Sequence, residues 1–219
     1  MRFRRVGIKQ VDRRRREGGT LEKSPNPVSV AELLTEIGNC RVCADMLAAG
    51  PRPVVQFSGT SRIVIIGQAP GARVHASGVP WDDASGKRLR EWTGLSDEDF
   101  YDPAKVALVP MGFCYPGTGE SGDLPPRPEC APLWHKRVMA YLPGDRLTLL
   151  VGGYAQKRFL PGLKRQTLTE IVRDAGSRIA GFFPLPHPSW RSTVWMRRNP
   201  WFEQETLPAL RSAVRDFRR

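Results

Sequence analysis

Four consecutive β-branched residues, Ile63 to Ile66, constrain the fold of this chain more than any other feature. They do not alternate with polar residues, and Gly67-Gln68-Ala69-Pro70-Gly71 ends the run abruptly. Such a run is typical of a parallel strand with both faces covered by helices. In open α/β sheets the ligand lies beyond the carboxyl ends of the strands, where glycines let backbone amides approach it. The segment from Gly67 to Gly86 is therefore a candidate pocket wall.

Other segments alternate between strand and helix patterns. Further strands are predicted at Val106–Val109, Arg146–Val151 and Arg178–Phe183. Helices are predicted from Ser29 or Asn26 to Gly38, and over Ser85–Trp92, Cys130–Leu142, Tyr154–Leu160, Gln166–Ala175 and Trp201–Phe217, the last with Pro208 positioned to split it. This alternation predicts a doubly wound α/β layer fold.

The length of the chain limits the number of domains, and its charge indicates the class of partner. A chain of 219 residues suffices for one well-buried α/β domain, which we expect over 28–219. Residues 1–27, which include Arg13–Arg16, are predicted to be a flexible basic arm. The net charge of +12 comes mainly from arginine, which pairs with phosphate through two hydrogen bonds. Nucleic acid is the leading partner class, against the alternative of a basic but inert surface.

The cysteines form a candidate metal site. No apolar run approaches the roughly 20 residues that span a bilayer, so we expect a cytoplasmic protein without a membrane partner, whose thiols stay reduced. Cys40 and Cys43 have C-x-x-C spacing, and Cys114 and Cys130 flank a Gly- and Pro-rich segment, Met111–Pro128, which is predicted to be a long loop. Four thiolates bind zinc or a [4Fe–4S] cluster, and the spacing alone does not distinguish them. The alternative is that the cysteines are small buried apolar residues.

Taken together, these motifs resemble the uracil-DNA glycosylase superfamily, and the chain is most similar to its iron–sulfur branch, family 4. The matching motifs occur in the family's order: Gly67–Gly71 for G-E-A-P-G, Gly78–Gly86 for G-x-P-F-x-G-x-x-G with Trp81 in place of Phe, Cys114 and Cys130 separated by fifteen residues, and His187–Ser189 then Arg198–Pro200 for H-P-S and R-N-P. An apparent insertion separates the last two motifs.

The resemblance covers about residues 38 to 215 and implies a three-layer α/β/α fold with a central four-stranded parallel sheet. It implies that Cys40, Cys43, Cys114 and Cys130 hold a structural [4Fe–4S] cluster, with zinc as the alternative. The implied activity is excision of uracil from single- or double-stranded DNA, which releases free uracil and leaves an abasic site. We expect the protein to act as a monomer.

Two departures from family 4 indicate a distinct branch. Gln68 stands where the family has a carboxylate that positions water, and a glutamine can hold a water but cannot take its proton. Pro110 stands where the family has an asparagine that reads the uracil edge, and its side chain offers no hydrogen bond.

The resemblance also implies roles for single side chains. Trp81 is expected to stack on the flipped base, and His187 to donate a hydrogen bond to the uracil oxygen that gains negative charge. Their alternatives are a core aromatic residue and a surface histidine. Asp83, or Asp82, is the candidate replacement for the missing acid, with a helix cap or a solvated turn as the alternative. Gln68 is expected to orient water or to contact the base through its backbone amide.

The remaining site residues fall into two groups. Those expected to line the uracil are Gly67, Ala69, Gly71 and Ser189. Those expected to contact DNA are Trp190, Arg191, Arg197 and Arg198, and the candidates for a wedge that fills the gap in the duplex are Trp190, Val194 and Trp195.

Three functions follow as hypotheses. The first is a uracil-DNA glycosylase. The second is a protein of the same fold that binds uracil-containing or damaged DNA without releasing the base efficiently. The third is a zinc-stapled nucleic-acid-binding domain with no chemistry.

Overall fold

The computed structural model describes residues 29–120, 122–174 and 181–218. The predicted arm at 1–27 lies outside these residues. The elements are, in chain order, α1 (Val30–Gly38), β1 (Ile63–Ile66), α2 (Ala72–Ser77), α3 (Ala84–Thr93), α4 (Asp97–Tyr101), β2 (Val106–Leu108), β3 (Thr118–Gly119), β4 (Gly122–Asp123), α5 (Cys130–Tyr141), β5 (Leu147–Val151), α6 (Gly153–Phe159), α7 (Leu168–Arg173), β6 (Phe182–Leu185), α8 (Ser192–Arg198) and α9 (Leu207–Phe217).

The central sheet contains four parallel strands in the order β2-β1-β5-β6. Strand β1 lies inside it, with Ile63 opposite Val106 on one side and Leu147 on the other. Every residue of β1 is buried, as its unbroken apolar run predicts. Helices cover both faces of the sheet, and this confirms the predicted three-layer α/β/α fold.

Side chains along β1 alternate between two hydrophobic cores, because successive residues of a strand point to opposite faces. Ile63 and Ile65 belong to the core that includes buried side chains of α3 and α9. Val64 and Ile66 belong to the core that includes buried side chains of α1 and α5. With both faces filled, the carboxyl end of the sheet is where a ligand can approach it.

Helix α1 is capped by Ser29, one of the two residues at which the sequence predicted its start. Ser29 Oγ accepts a hydrogen bond from the Glu32 backbone N–H at 3.2 Å, and Glu32 Oε2 accepts one from the Ser29 backbone N–H at 2.7 Å. This reciprocal pair is a capping box. The other candidate cap, Asn26, lies outside the described residues.

The fourth strand differs from its prediction at its end. It was expected to stop at Phe183, but β6 continues through Pro184 to Leu185. In the described sheet β6 is an edge strand that pairs with β5 alone, with Pro184 opposite Leu150. An edge strand tolerates proline because its missing N–H has no second neighbour to bond. Residues 178–180 of the predicted strand lie outside the described residues.

Two other segments are more regular than predicted. The segment 111–128 is not simply a loop, because it contains an antiparallel hairpin of β3 and β4 in which Thr118 lies opposite Asp123. The apparent insertion after His187–Ser189 forms α8. The closing helix is not split at Pro208: a π-helical turn at Phe202–Thr206 leads without a break into α9, and Pro208 lies in the first turn of α9.

The turn before α3 depends on Gly86. A Cβ atom at Gly86 would lie 1.8 Å from the Trp81 carbonyl oxygen. Among the described residues, Trp81 is also the only non-glycine residue with a positive φ, at 57°. That conformation costs on the order of 1–3 kcal/mol, so the surrounding packing must hold it in place. Gly86 allows this because it lets the Trp81 backbone lie directly on α3.

We predict that Gly86→Ala destabilises the fold by roughly 1–3 kcal/mol, because the added methyl group displaces backbone atoms. Helix propensity alone predicts the opposite sign, since alanine is favoured over glycine in a helix by about 1 kcal/mol. Urea unfolding measures the change. Gly144→Ala is the control, because a Cβ there meets nothing within 4 Å. Equal stability of the two variants would contradict the packing argument.

Candidate active site

A cavity of about 510 Å³ opens at the carboxyl end of the sheet. Its wall includes Gly67 after β1, Pro110 after β2 and His187 after β6. The predicted site residues that line it are Gly67, Gln68, Ala69, Gly71, Trp81, Asp83, His187, Ser189, Trp190 and Arg191. The structure thus brings most of the predicted pocket together, and it leaves Asp82, Arg197 and Arg198 outside the lining.

The loop after β1 is held from behind by backbone hydrogen bonds. The carbonyl oxygens of Gly67 and Gln68 accept hydrogen bonds from the N–H groups of Met111 and Gly112, each at 2.9 Å. On the cavity side, a Cβ atom at Gly67 would lie 2.7 Å from Trp81 Cζ2. Glycine at this position therefore lets the indole ring lie directly against the loop.

Trp81 and His187 form adjacent walls of the cavity. Their ring centroids are 6.0 Å apart and their planes differ by 29°. The Tyr101 hydroxyl donates a hydrogen bond to the Trp81 carbonyl oxygen at 3.4 Å, which helps to hold the Trp81 backbone. On the other side, a Cβ atom at Gly152 would lie 3.5 Å from His187 Cβ. A glycine thus lies close to each residue, Gly67 to the Trp81 ring and Gly152 to the His187 side chain.

The His187 imidazole favours its neutral form. Desolvation lowers the pKa of His187 below its usual value, and the negative charges of Asp83 and Asp123 oppose this change. A neutral imidazole still carries one N–H donor. The loop that follows is anchored to α3, because Arg88 Nη1 donates a hydrogen bond to the Ser189 carbonyl oxygen at 2.5 Å. His187 is therefore a neutral donor on a well-supported loop.

The two neighbouring aspartates have different positions. Asp83 is the N-cap of α3, and its Oδ1 accepts a hydrogen bond from the Gly86 backbone N–H at 2.7 Å. Asp83 also lines the cavity, so it both caps the helix and belongs to the pocket, the two positions that the sequence analysis gave as alternatives. Asp82 instead lies 3.6 Å from Arg73 in an exposed pair outside the cavity lining. Only Asp83 of the two is in the candidate site.

Asp123 is the cavity carboxylate that the sequence reasoning missed. It belongs to β4 and lines the cavity. A Cβ atom at Gly71 would lie 3.3 Å from Asp123 Oδ2, so the carboxylate lies against the loop after β1. Desolvation and then the charge of Asp83 raise the pKa of Asp123, and His187 opposes this rise. The only signal in the sequence was an acidic residue in a glycine-rich segment, because two-residue strands have no readable periodicity.

Gln68 connects the loop after β1 to the hairpin. Its Nε2 donates a hydrogen bond to the Leu124 carbonyl oxygen at 3.2 Å. Leu124 directly follows β4, so this bond joins the two segments that supply Gln68 and Asp123 to the cavity.

A comparison with models of known protein families identifies the family of this chain. Residues 55–211 match the family model described as the Uracil DNA glycosylase superfamily, which is more than half of the chain. The chain belongs to the uracil DNA glycosylase superfamily. The superfamily match contains the loop after β1, Trp81, Asp123 and His187. Cys40 and Cys43 precede it.

This superfamily member has a basic, aromatic rim beside the cavity. Trp190 is 72% exposed, and the Arg191 guanidinium lies over its ring at 5.1 Å from the centroid. Arg197 and Arg198 are exposed in the last turn of α8, away from the cavity lining. No helix within the described ranges is long and apolar enough to cross a bilayer.

The candidate wedge residues separate into exposed and packed side chains. Val194 is 50% exposed, and Trp190 is more exposed still. Trp195 Nε1 donates a hydrogen bond to Thr169 Oγ1 at 2.9 Å, and its ring packs edge-on against Trp201 with centroids 5.7 Å apart. Trp195 is thereby held against the core and is not free to enter DNA.

All four cysteines of this superfamily member line one smaller cavity, and none forms a disulfide. The Phe113 backbone N–H donates a hydrogen bond to Cys130 Sγ at 3.2 Å. Burial raises the pKa of Cys114 to about 11 and that of Cys130 to about 12, so thiolates there require a bound cation. The donor set fits a Cys₄ cluster. As the side chains stand, no group of three or more His, Cys, Asp or Glu residues in the described ranges is placed to hold a single ion, and the cluster stays a prediction.

Proposed function

We propose that this protein is a uracil-DNA glycosylase that hydrolyses the N-glycosidic bond of a flipped deoxyuridine and leaves an abasic site, the first step of base excision repair. The observation that carries the proposal is the presence of Trp81 and His187 on adjacent walls of one cavity in a member of this superfamily. An enzyme that acts on a base in DNA must first extrude it into such a cavity.

The cavity suits a flipped base in size and lining. Its volume of about 510 Å³ is in the ordinary range for small-ligand pockets. Stacking of a base on the Trp81 indole contributes roughly 1–3 kcal/mol, which offsets part of the cost of flipping. Gly67, Ala69, Gly71 and Ser189, the residues expected to line the uracil, are part of the same wall.

His187 supplies the main electrostatic assistance. Cleavage of the glycosidic bond leaves negative charge on the uracil and positive charge on the sugar. The neutral imidazole donates its N–H to the uracil oxygen as this charge develops, a role worth about 2.7–4 kcal/mol for a fixed donor. The Asp83 carboxylate faces the same cavity, where its charge stabilises the cationic sugar.

The rim supplies affinity for the DNA backbone. Arg191, Arg197 and Arg198 neutralise phosphates, and this part of the affinity falls as salt rises. Trp190 or Val194 fills the gap left by the flipped base when the substrate is a duplex. We propose that the protein acts as a cytoplasmic monomer on single- or double-stranded DNA.

One observation favours the second candidate function, binding without efficient release of the base. Gln68 replaces the acid of family 4, and its amide is already engaged by the Leu124 carbonyl oxygen. If no other carboxylate served the attacking water, the pocket would hold uracil without hydrolysing the bond at a useful rate.

The cysteine cavity supports the proposal of a structural [4Fe–4S] cluster held by Cys40, Cys43, Cys114 and Cys130. When bound, the cluster cross-links the turn after α1 to the segment that carries the hairpin. The Phe113 N–H bond to Cys130 is of the kind that stabilises a ligating sulfur.

The test of the function is excision from a labelled oligonucleotide that contains one uracil. We expect alkali to cleave the strand at the uracil position after incubation with the protein, in single-stranded and duplex substrates. The matched thymine-containing strand is the control. Tight binding of the uracil strand without any alkali-labile site, even with enzyme in excess, would support the binding protein instead.

We predict that His187→Ala lowers the single-turnover excision rate roughly 10²–10³-fold, because one fixed donor to the developing charge is lost. Affinity for a strand with a non-cleavable 2′-fluoro-deoxyuridine should change little, since that complex lacks the developing charge. His75→Ala is the control, because His75 does not line the cavity. An unchanged rate in His187→Ala would rule out this role.

We predict that protein purified without oxygen contains about four iron and four sulfide per chain and has the broad visible absorbance of an iron–sulfur cluster. Cys130→Ser should lose most of the iron and lower the unfolding temperature. Val42→Ser, in the exposed middle of the C-x-x-C turn, should retain both. One zinc per chain without iron would refute the cluster.

A further inference from the structure

Asp123 places a carboxylate in the cavity lining. Within the described ranges, this carboxylate neither caps a helix nor pairs with a cation. Among the described residues, no group hydrogen-bonds to it. Asp83 differs, since its Oδ1 is occupied by the Gly86 N–H at the start of α3. Both oxygens of Asp123 therefore remain to accept hydrogen bonds from a water molecule in the cavity, whereas Asp83 has only Oδ2 without a bond.

The position of this carboxylate is set by the loop that carries Gln68. Asp123 Oδ2 lies 3.3 Å from where a Cβ atom at Gly71 would be, which places it against the segment 67–71. His187 and Asp83 are close enough to act on it electrostatically. The hairpin therefore places a carboxylate against the same loop on which family 4 has its acid, at the position of Gln68.

Gln68 explains why the hairpin lies there. Its amide donates to the Leu124 carbonyl oxygen at 3.2 Å, and the Leu124 N–H donates to the Gly117 carbonyl oxygen at 2.8 Å, which closes the hairpin. An ionised glutamate at position 68 has no proton to donate and would repel the Leu124 carbonyl. An amide at position 68 therefore stabilises the position of the hairpin that carries Asp123, and a carboxylate there would oppose it.

We propose that Asp123 is the catalytic carboxylate that activates the hydrolytic water, and that Gln68 is a positioning residue that holds the Asp123 hairpin against the pocket. This assignment rests on the proposed glycosylase function and supplies the base that the function otherwise lacks.

The step balances as a hydrolysis. The C1′–N1 bond breaks, and its electron pair stays on the uracil, where the His187 N–H meets the charge. The oxygen of water forms the new bond to C1′, and one of its protons passes to the Asp123 carboxylate. That proton then returns to the uracil anion, so the products are free uracil and an abasic site with a hydroxyl group at C1′.

This role requires ionised Asp123, so activity should fall as pH drops through its pKa. Desolvation and the charge of Asp83 raise that pKa, so the loss begins at a higher pH than for an ordinary aspartate. Within the described ranges, the charged or titratable groups around it are Asp83 at the N-terminus of α3, and His187 and Arg191 after β6. Protonation of His187 at low pH would strengthen its donor and does not by itself cause the loss.

The decisive comparison is Asp123→Asn, which keeps the shape, against Glu120→Gln, which removes an exposed carboxylate from the same hairpin. We expect Asp123→Asn to lower single-turnover excision roughly 10²–10⁴-fold and to abolish the acidic limb of the pH–rate profile, with binding of 2′-fluoro-deoxyuridine DNA unchanged. Glu120→Gln should retain the wild-type profile. An Asp123→Asn rate within threefold of wild type, with its acidic limb intact, would overturn the assignment.

Gln68→Glu separates this proposal from simple loss of the acid. Here excision should fall, because the link to Leu124 is broken and Asp123 is displaced. A faster Gln68→Glu enzyme would mean that position 68 is still the place for the acid, and would overturn the role of Asp123. Absence of excision by the wild-type chain would instead refute the glycosylase function itself, and the assignment of Asp123 with it.

Discussion

The close packing of Trp81 on two glycines is the contact on which the rest of the pocket depends. The Trp81 carbonyl lies over Gly86 at the start of α3, and its indole lies against Gly67 at the end of β1. A side chain at either glycine would enter the space that the tryptophan occupies. This packing holds Trp81 in an unfavourable backbone conformation and brings its ring beside His187. The two rings to which we assign base stacking and hydrogen-bond donation are thereby held side by side by the fold itself.

The electrostatics of the pocket depend on the burial of His187 and on two carboxylates, of which one caps a helix and the other does not. Desolvation keeps His187 neutral, so it is a donor that carries no charge of its own. Asp83 is committed to the end of a helix, and Asp123 is carried by a short hairpin. Both carboxylates line the same cavity as His187. A neutral donor and anionic groups in one cavity match the two charges that the proposed bond cleavage creates.

Local sequence patterns were sufficient wherever a long apolar run or a cap defined an element. The unbroken apolar run of β1 predicted a strand buried on both faces, and Ser29, one of two residues predicted to start α1, is its N-cap. The prediction was wrong where a regular element forms only because two strands pair with each other. Strands β3 and β4 have two residues each and no apolar pattern, so the hairpin that carries Asp123 was read as part of a loop. Trp195 was included among the candidate wedge residues because the sequence does not show its hydrogen bond to Thr169, which is distant in the chain.

The sequence by itself determined the α/β layer fold, the loop from Gly67 to Gly71 as a pocket wall, and the superfamily, because these rest on contiguous residues and on motifs in a fixed order. Only the tertiary structure decided which acids reach the cavity. Asp82 and Asp83 are neighbours in the chain, yet one pairs with Arg73 outside the lining and the other caps α3 inside it. Asp123 arrives from a separate hairpin through the bond between Gln68 and Leu124. The physical reason is that a carboxylate's role depends on the direction in which its backbone presents it, and that direction is set by contacts between segments far apart in sequence.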